Sequence, residues 1–431
     1  MSSTSEQPRG AVAGAIGQYR WVICALLFFA TTINYIDRQI FSLLKETLDK
    51  EMGWSNEQFG LVNSFFQGAY AVGLLAFGWI VDRFGPKIGY ALSIAGWSLA
   101  ACGHGLVHSI FGFKIARISL GLSEAGNFPS AIKTVAQWFP KRERALATAL
   151  FNAGANAGPI IAPLTIPFIA AQWGWRSAFV AAGLLGFLWL IAWWAIYENP
   201  EKSRRVNAAE LAFIRSDVEA PASAAKTPWL HLLRYRQTWS FIVGKALTDP
   251  IWWFFLIWLP DYFNKTRGLN IQKSKIHLAT IYAICTVLSV AGGWLTGHLQ
   301  RLGWSVTRAR KTGMLLFAFC VLPIMGVTSV GNWTAVLLIG LAAAAHQAWS
   351  ANLYTTVSDM FPKAAVASVV GIGGMAGSVT GIFFPTLTGK LLDNLPAQQG
   401  YTILFGICGS AYLVAFIIHH LLAPRFDPVR P

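Results

Sequence analysis

Apolar residues in this chain come in long blocks rather than at amphipathic intervals. Stretches such as 178–197 and 403–422 carry no Asp, Glu, Lys or Arg over the ~20 positions a helix needs to cross a bilayer. No water at that depth can satisfy an open backbone, so blocks of this kind must be helices. Twelve are marked, near 21–44, 58–80, 88–107, 110–133, 143–170, 176–197, 238–262, 277–300, 309–329, 332–358, 365–391 and 401–422. The pattern predicts an all-α membrane protein of twelve transmembrane helices in two six-helix bundles. An N-terminal tail (1–20) leads into the first bundle (21–197). A linker (198–237) follows, then the second bundle (238–422) and a C-terminal tail (423–431). The linker is the sharp break in pattern, dense in charge, with a short surface helix expected around Ala208 to Val218.

The bundles repeat one another. Trp138-Phe139-Pro140-Lys141 precedes the fifth span and Met360-Phe361-Pro362-Lys363 the eleventh. The same offset of 222 aligns Ala145 with Ala367, Asn156 with Ser378 and Pro163 with Pro385. Gly78-Trp79-Ile80 and Gly293-Trp294-Leu295 repeat at 215. Repeated halves predict a pseudo-symmetric molecule with its substrate site between them, near the bilayer midplane.

Composition agrees. The chain is 55% apolar and only 12% charged, where soluble domains carry about 25% charge. The net charge of +15 is not a nucleic-acid footprint, because its basic residues sit in loops. Of 34 Lys and Arg, 21 lie in segments on the side of both termini, 8 in the alternate loops and five within spans. The positive-inside rule then places both termini in the cytoplasm; Lys265, Arg267, Lys273 and Lys275 form the one loop that offends it. The first apolar run carries Asn34-Tyr35-Ile36-Asp37-Arg38 and is too long for a signal peptide, so it reads as a mature span. Five cysteines, all in apolar stretches, suit packing rather than metal binding. His104 and His108 share a helix face without the acid of a zinc-protease motif. No cofactor is expected.

Charge inside spans is costly, on the order of 3 kcal/mol per group, and marks function. Asp37 and Arg38 lie in span one and point about 100° apart. Arg38 can grip a carboxylate through two parallel hydrogen bonds, although an ion pair knitting spans together is the alternative. In span four Arg117 and Glu124 lie seven residues apart on one face. Desolvation disfavours a charged carboxylate and a neighbouring guanidinium favours it. Glu124 is therefore the first candidate proton carrier, with Asp37 second and Arg117 modulating them; a permanent salt bridge is the alternative. In the second half Lys245 and Asp249, spaced i,i+4, read as a local ion pair with a snorkelling lysine. Polar handles for a hydroxylated ligand are Tyr35, Tyr70, Asn152, Asn156, His346, Trp349, Ser350, Asn352 and Ser378. Each alone could equally be a helix-packing residue.

The loop after span two reads Gly78-Trp79-Ile80-Val81-Asp82-Arg83-Phe84-Gly85-Pro86-Lys87 and matches the loop signature of the major facilitator superfamily. Gly78, Asp82, Arg83, Gly85 and Lys87 are expected to act as a gate latch; Gly297 and His298 stand at the equivalent place in the second half, so that latch looks degenerate. Together with Asn34 to Arg38, Arg117 to Pro129 and His346 to Asn352, this resembles the anion:cation symporter branch. His346-Gln347-Ala348-Trp349-Ser350-Ala351-Asn352, Asp359 to Lys363 and Gly371 to Gly377 resemble bacterial hexuronate transporters. The resemblance spans nearly the whole chain. It implies the major facilitator fold and proton-coupled uptake of glucuronate or galacturonate across a bacterial inner membrane. It also implies that Arg38 and Tyr70 meet the substrate carboxylate, that Asp37 and Glu124 exchange protons, and that Arg117 couples to Glu124. Asn156 stands where relatives carry Gln, which loosens the choice among sugar acids. The expected partners are thus a sugar-acid anion, protons and lipid. A single chain holds both halves, so a monomer suffices.

Rival readings are an aldonate such as galactonate as the cargo, or an organic-anion exchanger. A membrane sensor would need a larger cytoplasmic domain, and an intramembrane enzyme a nucleophile–base or metal constellation.

Overall fold

The computed structural model describes residues 15–216, 229–361, 363–427 and 429, and every regular element among them is helical. Among the described residues, ten helices are long and apolar enough to cross a membrane. Span one is Tyr19–Leu43 and span two Asn56–Val81. Spans two and three form one run, Asn56–His104, broken only at Gly85, whose φ of 81° and ψ of 166° favour glycine. The stretch after Gly85 thus supplies the third crossing. Span four is a jointed pair, Ile110–Glu124 and Asn127–Trp138; Lys114, Arg117 and Glu124 lower its apolarity. These two segments complete the expected twelve.

Span five is likewise jointed, Lys141–Asn152 then Gly154–Trp173, and span six is Trp175–Ile196. The second half runs Arg236–Arg267, Ile271–Arg301, Val306–Val321, Asn332–Met360, Lys363–Asn394 and Ala397–Leu422, as spans seven to twelve. The ninth ends in 3-10 geometry over Leu322–Ser329. In the linker the helix covers Ala208–Ile214, shorter than expected, and Asp217 and Val218 lie outside the described residues. It docks on the first bundle. Buried Glu210 accepts hydrogen bonds from the Arg20 backbone N–H at 3.0 Å and from Arg20 Nη1 at 3.2 Å.

Packing follows the sequence repeat. Span five lies on span one through Gly154 and Gly158, and span eleven on span seven through Gly373 and Gly377. At these places a Cβ would strike the partner helix. The halves meet as span two against eleven and five against eight.

Contact between the halves is one-sided. Lys45 Nζ lies 2.9 Å from Asp261 Oδ1, and Ser64 Oγ lies 2.8 Å from Thr386 Oγ1. The Asp393 carboxylate accepts from the backbone N–H of Asn56 at 3.0 Å and of Glu57 at 2.7 Å. It therefore sits on the positive end of span two from the other half. Gln272 donates to the Pro167 carbonyl at 2.6 Å, and Phe59 packs edge-on against Trp258 at 5.3 Å. All of these lie at the face opposite the termini. At the terminal face the bonds among described residues stay within a half. Arg20–Glu143 at 2.8 Å and Lys87–Glu198 at 3.1 Å belong to the first; Arg310–Asp359 at 3.2 Å belongs to the second. Among the described residues, the halves are bonded together at one face and not at the other.

Candidate functional site

Span one meets spans two and four through a buried charge cluster. Arg38 Nε donates to Glu124 Oε2 at 2.7 Å; Arg38 is 6% exposed and Glu124 fully buried. Tyr35 and Tyr70 carry the Arg38 guanidinium over their rings at 4.9 and 4.7 Å, and Phe66 does so at 5.5 Å. Trp253, from span seven of the other half, lies 5.6 Å from the same group. Such faces attract a cation. Arg117 donates through Nη2 to Asn63 Oδ1 at 2.8 Å and is sandwiched by Phe41 and Phe66 at 4.6 Å each. Asn63 was not singled out from the sequence.

The cluster is incompletely paired. Both Asp37 carboxyl oxygens, Glu124 Oε1, Arg38 Nη2, Arg117 Nε and Nη1, and both Asn34 amide atoms are buried without a partner. Buried polar groups normally find partners. Two guanidinium and two carboxyl groups held in this state form an arrangement with spare donors and acceptors, able to take up a proton or an anion.

In front of the cluster lies a polar cavity of about 240 Å³, a little below the range of ~300–1,000 Å³ usual for drug-sized ligands and of the scale of a monosaccharide. Both halves line it. Tyr35, Asn152, Ala155 and Asn156 come from the first; Lys245, Asp249, Trp252, Trp253, His346, Gln347, Ser350 and Tyr354 come from the second. Arg38 itself stands one layer behind, screened by Tyr35 and Trp253. Tyr70 stands with it. Phe41, Trp54, Phe59 and Trp258 are all buried and pack on one another as the floor towards the closed face.

Of the remaining residues expected to bind, the structure draws several away from the cavity. Trp349 is fully buried and packs edge-on against Tyr412 at 5.7 Å, inside the second bundle. Asn352 is one helical turn on; it donates to the Ala348 carbonyl at 2.9 Å and accepts from Arg310 at 3.4 Å. Ser378 is half-buried on span eleven and does not line the cavity. His346 has a double attachment, its Nδ1 2.6 Å from the Tyr412 hydroxyl and its ring stacked on Trp252 at 5.4 Å.

Lys245 and Asp249 depart furthest from expectation. They do form the local ion pair, 2.8 Å long, but Lys245 does not snorkel: it is 5% exposed and faces the cavity. The i,i+4 spacing suggested self-neutralisation and hid the stronger signal, ionisable residues within a span. Trp252, Trp253 and Tyr354 offered no signal beyond aromatic content.

At the loop after span two, Gly85 makes the bend. Lys87 pairs with Glu198, and its backbone carbonyl accepts a hydrogen bond from Trp193 Nε1 at 3.1 Å. Arg83 is exposed, its guanidinium near the Trp79 and Phe84 rings at 5.9 and 5.8 Å. The Asp82 side chain lies outside the described residues. Space around Gly78 is open in this conformer. In the second half His298 stacks on Trp294 at 4.5 Å. There the Arg310–Asp359 pair, with Arg310 also donating to Thr296 at 3.3 Å, ties spans eight, nine and ten together.

The Major Facilitator Superfamily profile matches residues 27–385. The chain is 29% identical over 404 residues to the hexuronate transporter of Escherichia coli K12, covering 93% of each. It is 30% identical over 418 residues to the "Probable galactarate/D-glucarate transporter" of the same organism, covering 92% of this chain and 94% of that one. The "Probable L-galactonate transporter" of that organism is 29% identical, with 91% and 87% covered. Among solved structures, the D-xylose–proton symporter superposes with a TM-score of 0.76 at 16% identity, covering 96% of this chain and all of that one. A bacterial Spinster homologue in an inward-facing conformation gives 0.75 at 16% identity, covering 97% and 100%. These two share the fold. This multi-pass chain is a membrane transporter, not an enzyme, and belongs to the Major Facilitator Superfamily.

Proposed function

We propose that the protein imports a sugar-acid anion together with protons, by alternating access, with a hexuronate such as galacturonate or glucuronate as its cargo. The observation that carries this reading is the Arg38–Glu124 pair, 2.7 Å long, one side-chain layer behind a polar cavity shared by both halves. An ionised Glu124 occupies the guanidinium. A protonated Glu124 gives it up, and Arg38 is then free to hold a substrate carboxylate at the position of Tyr35 and Trp253. Asp37, unpartnered beside it, is the second proton site. Arg117, held by Asn63, sets the field that returns Glu124 to its charged state once the proton leaves. Asn152, Asn156, Gln347, His346 and Ser350 offer hydrogen bonds to hydroxyls, and Trp252 and Trp253 offer a flat face to a sugar ring.

With the termini in the cytoplasm of a bacterium, as the distribution of Lys and Arg supports, the divided face opens inward. This conformer then follows release, with Glu124 ionised and back on Arg38. Coupling has an energetic basis: one charge moved through 100 mV is worth about 2.3 kcal/mol, so at least one proton per monoanion offsets an adverse membrane potential. The likeness to a galactonate transporter favours an aldonate as the second reading for the cargo.

Proteoliposomes given labelled galacturonate test the proposal. Accumulation above equilibrium is expected with an acidic exterior and should collapse when an ionophore removes the gradient. Undiminished accumulation without gradient or potential would refute coupling. Counterflow without any net uptake would make the protein an exchanger.

A further inference from the structure

Besides Arg38, which stands one layer behind the cavity, the site includes a second cation. Lys245 is buried to 5% exposure, yet lines the cavity from the second half, with its ammonium 4.5 Å from the Tyr354 ring. Its acid partner among the described residues is Asp249 at 2.8 Å, also at the cavity wall. Asp249 is in turn packed against Gly377 of span eleven, where a Cβ would collide with its carboxylate. The ammonium is thus held at the level of Asp249, four residues before Trp253, an axial rise of ~6 Å. Trp253 carries the Arg38 guanidinium at 5.6 Å. Two cations, one from each half, are thus linked through Trp253, Lys245 lining the cavity and Arg38 one layer behind it, each beside its own carboxylate.

We propose that Lys245 is a second carboxylate anchor, through which the site that takes hexuronates also takes six-carbon sugar acids bearing a carboxylate at both ends. This rests on the reading that the cavity binds sugar acids. A diacid places one carboxylate on Arg38 and the other on Lys245, displacing Asp249 as Glu124 is displaced at the other wall. A mono-acid leaves the Lys245–Asp249 pair closed, and that pair then offers only hydrogen bonds to hydroxyls. A buried ion pair is a poor source of stability, which suits a role in recognition.

The test is equilibrium binding of galactarate and galacturonate to the purified protein, each variant first checked by its melting temperature. Lys245→Met should weaken galactarate by a factor at least about ten larger than it weakens galacturonate, the scale of one charged hydrogen bond. Asp249→Asn, which unmasks the ammonium, should tighten galactarate. The double variant Lys245→Met, Asp249→Leu leaves no orphan charge and should show the same selective loss if the single one fails to fold. Equal losses for both ligands, or weaker galactarate binding in Asp249→Asn, would overturn the proposal. So would a wild-type protein that binds galacturonate and not galactarate, which leaves the transport reading standing. A wild type that binds neither sinks both.

Discussion

At the scale of residues, Arg38 has more buried donors than partners. Removing Arg38 alone leaves Glu124 buried without its counter-charge, a loss of about 3–5 kcal/mol when that acid is ionised. Arg38→Ala should therefore lower the melting temperature and abolish sugar-acid binding. Arg38→Ala with Glu124→Ala should recover much of the stability and none of the binding; recovery of binding would remove Arg38 from the site. Glu124→Gln keeps the shape of the side chain but cannot cycle a proton. It should retain counterflow of substrate across a vesicle membrane and lose accumulation by at least about tenfold, because only net transport requires the proton to leave. Full accumulation in this variant would assign coupling elsewhere, with Asp37 the next acid to test.

At the scale of elements, helices close on one another where glycine lets backbones touch. Gly60 of span two lies against the Pro385 backbone, and Gly389 of span eleven against that of Asn56 and Glu57. Gly389→Val should prevent the closed face from forming and shift the protein towards the conformer open there. Labelling of Ser64→Cys by an impermeant maleimide would rise in that background; unchanged labelling would contradict it. The same face carries a pH-sensitive tie. Partial burial pushes the Glu51 carboxyl up, but hydrogen bonds from Arg176, at 2.8 Å, and from Trp175 outweigh this and hold it below the ordinary carboxylate range. The ionised form makes the bonds, so their contribution is full near neutrality and fades as pH falls below the ordinary carboxylate range. Glu51 is partly exposed, so screening keeps the contribution to at most about 0.5 kcal/mol. Glu51→Gln should flatten the acid limb of melting temperature against pH by that small amount, and an unchanged limb would discount the tie.

At the scale of the whole molecule, periodicity and repetition made the architecture legible. Long charge-free blocks leave a helix no alternative, and the offset of 222 announced two halves before any contact was known. Asp37, Arg38, Arg117 and Glu124 were legible for a related reason, since charge in a span is too costly to be incidental. Which polar residues face the cavity was not legible. Asn352 and Ser350 lie two positions apart on one helix, and only its rotation decides that Ser350 meets the cavity while Asn352 meets Arg310. Lys245 was obscured because its partner was too near in sequence. The jointed form of span four escaped as well, since Ala125 and Gly126 carry no proline to mark a bend.

Proton uptake on ligand binding reports whether Glu124 takes up a proton as Arg38 takes up the anion. Purified protein in a weakly buffered solution with a pH indicator, mixed with galacturonate, should take up about one proton per bound anion, and Glu124→Gln should take up markedly fewer while still binding. Binding with no proton uptake in the wild type, or with the same uptake in Glu124→Gln, would contradict the account.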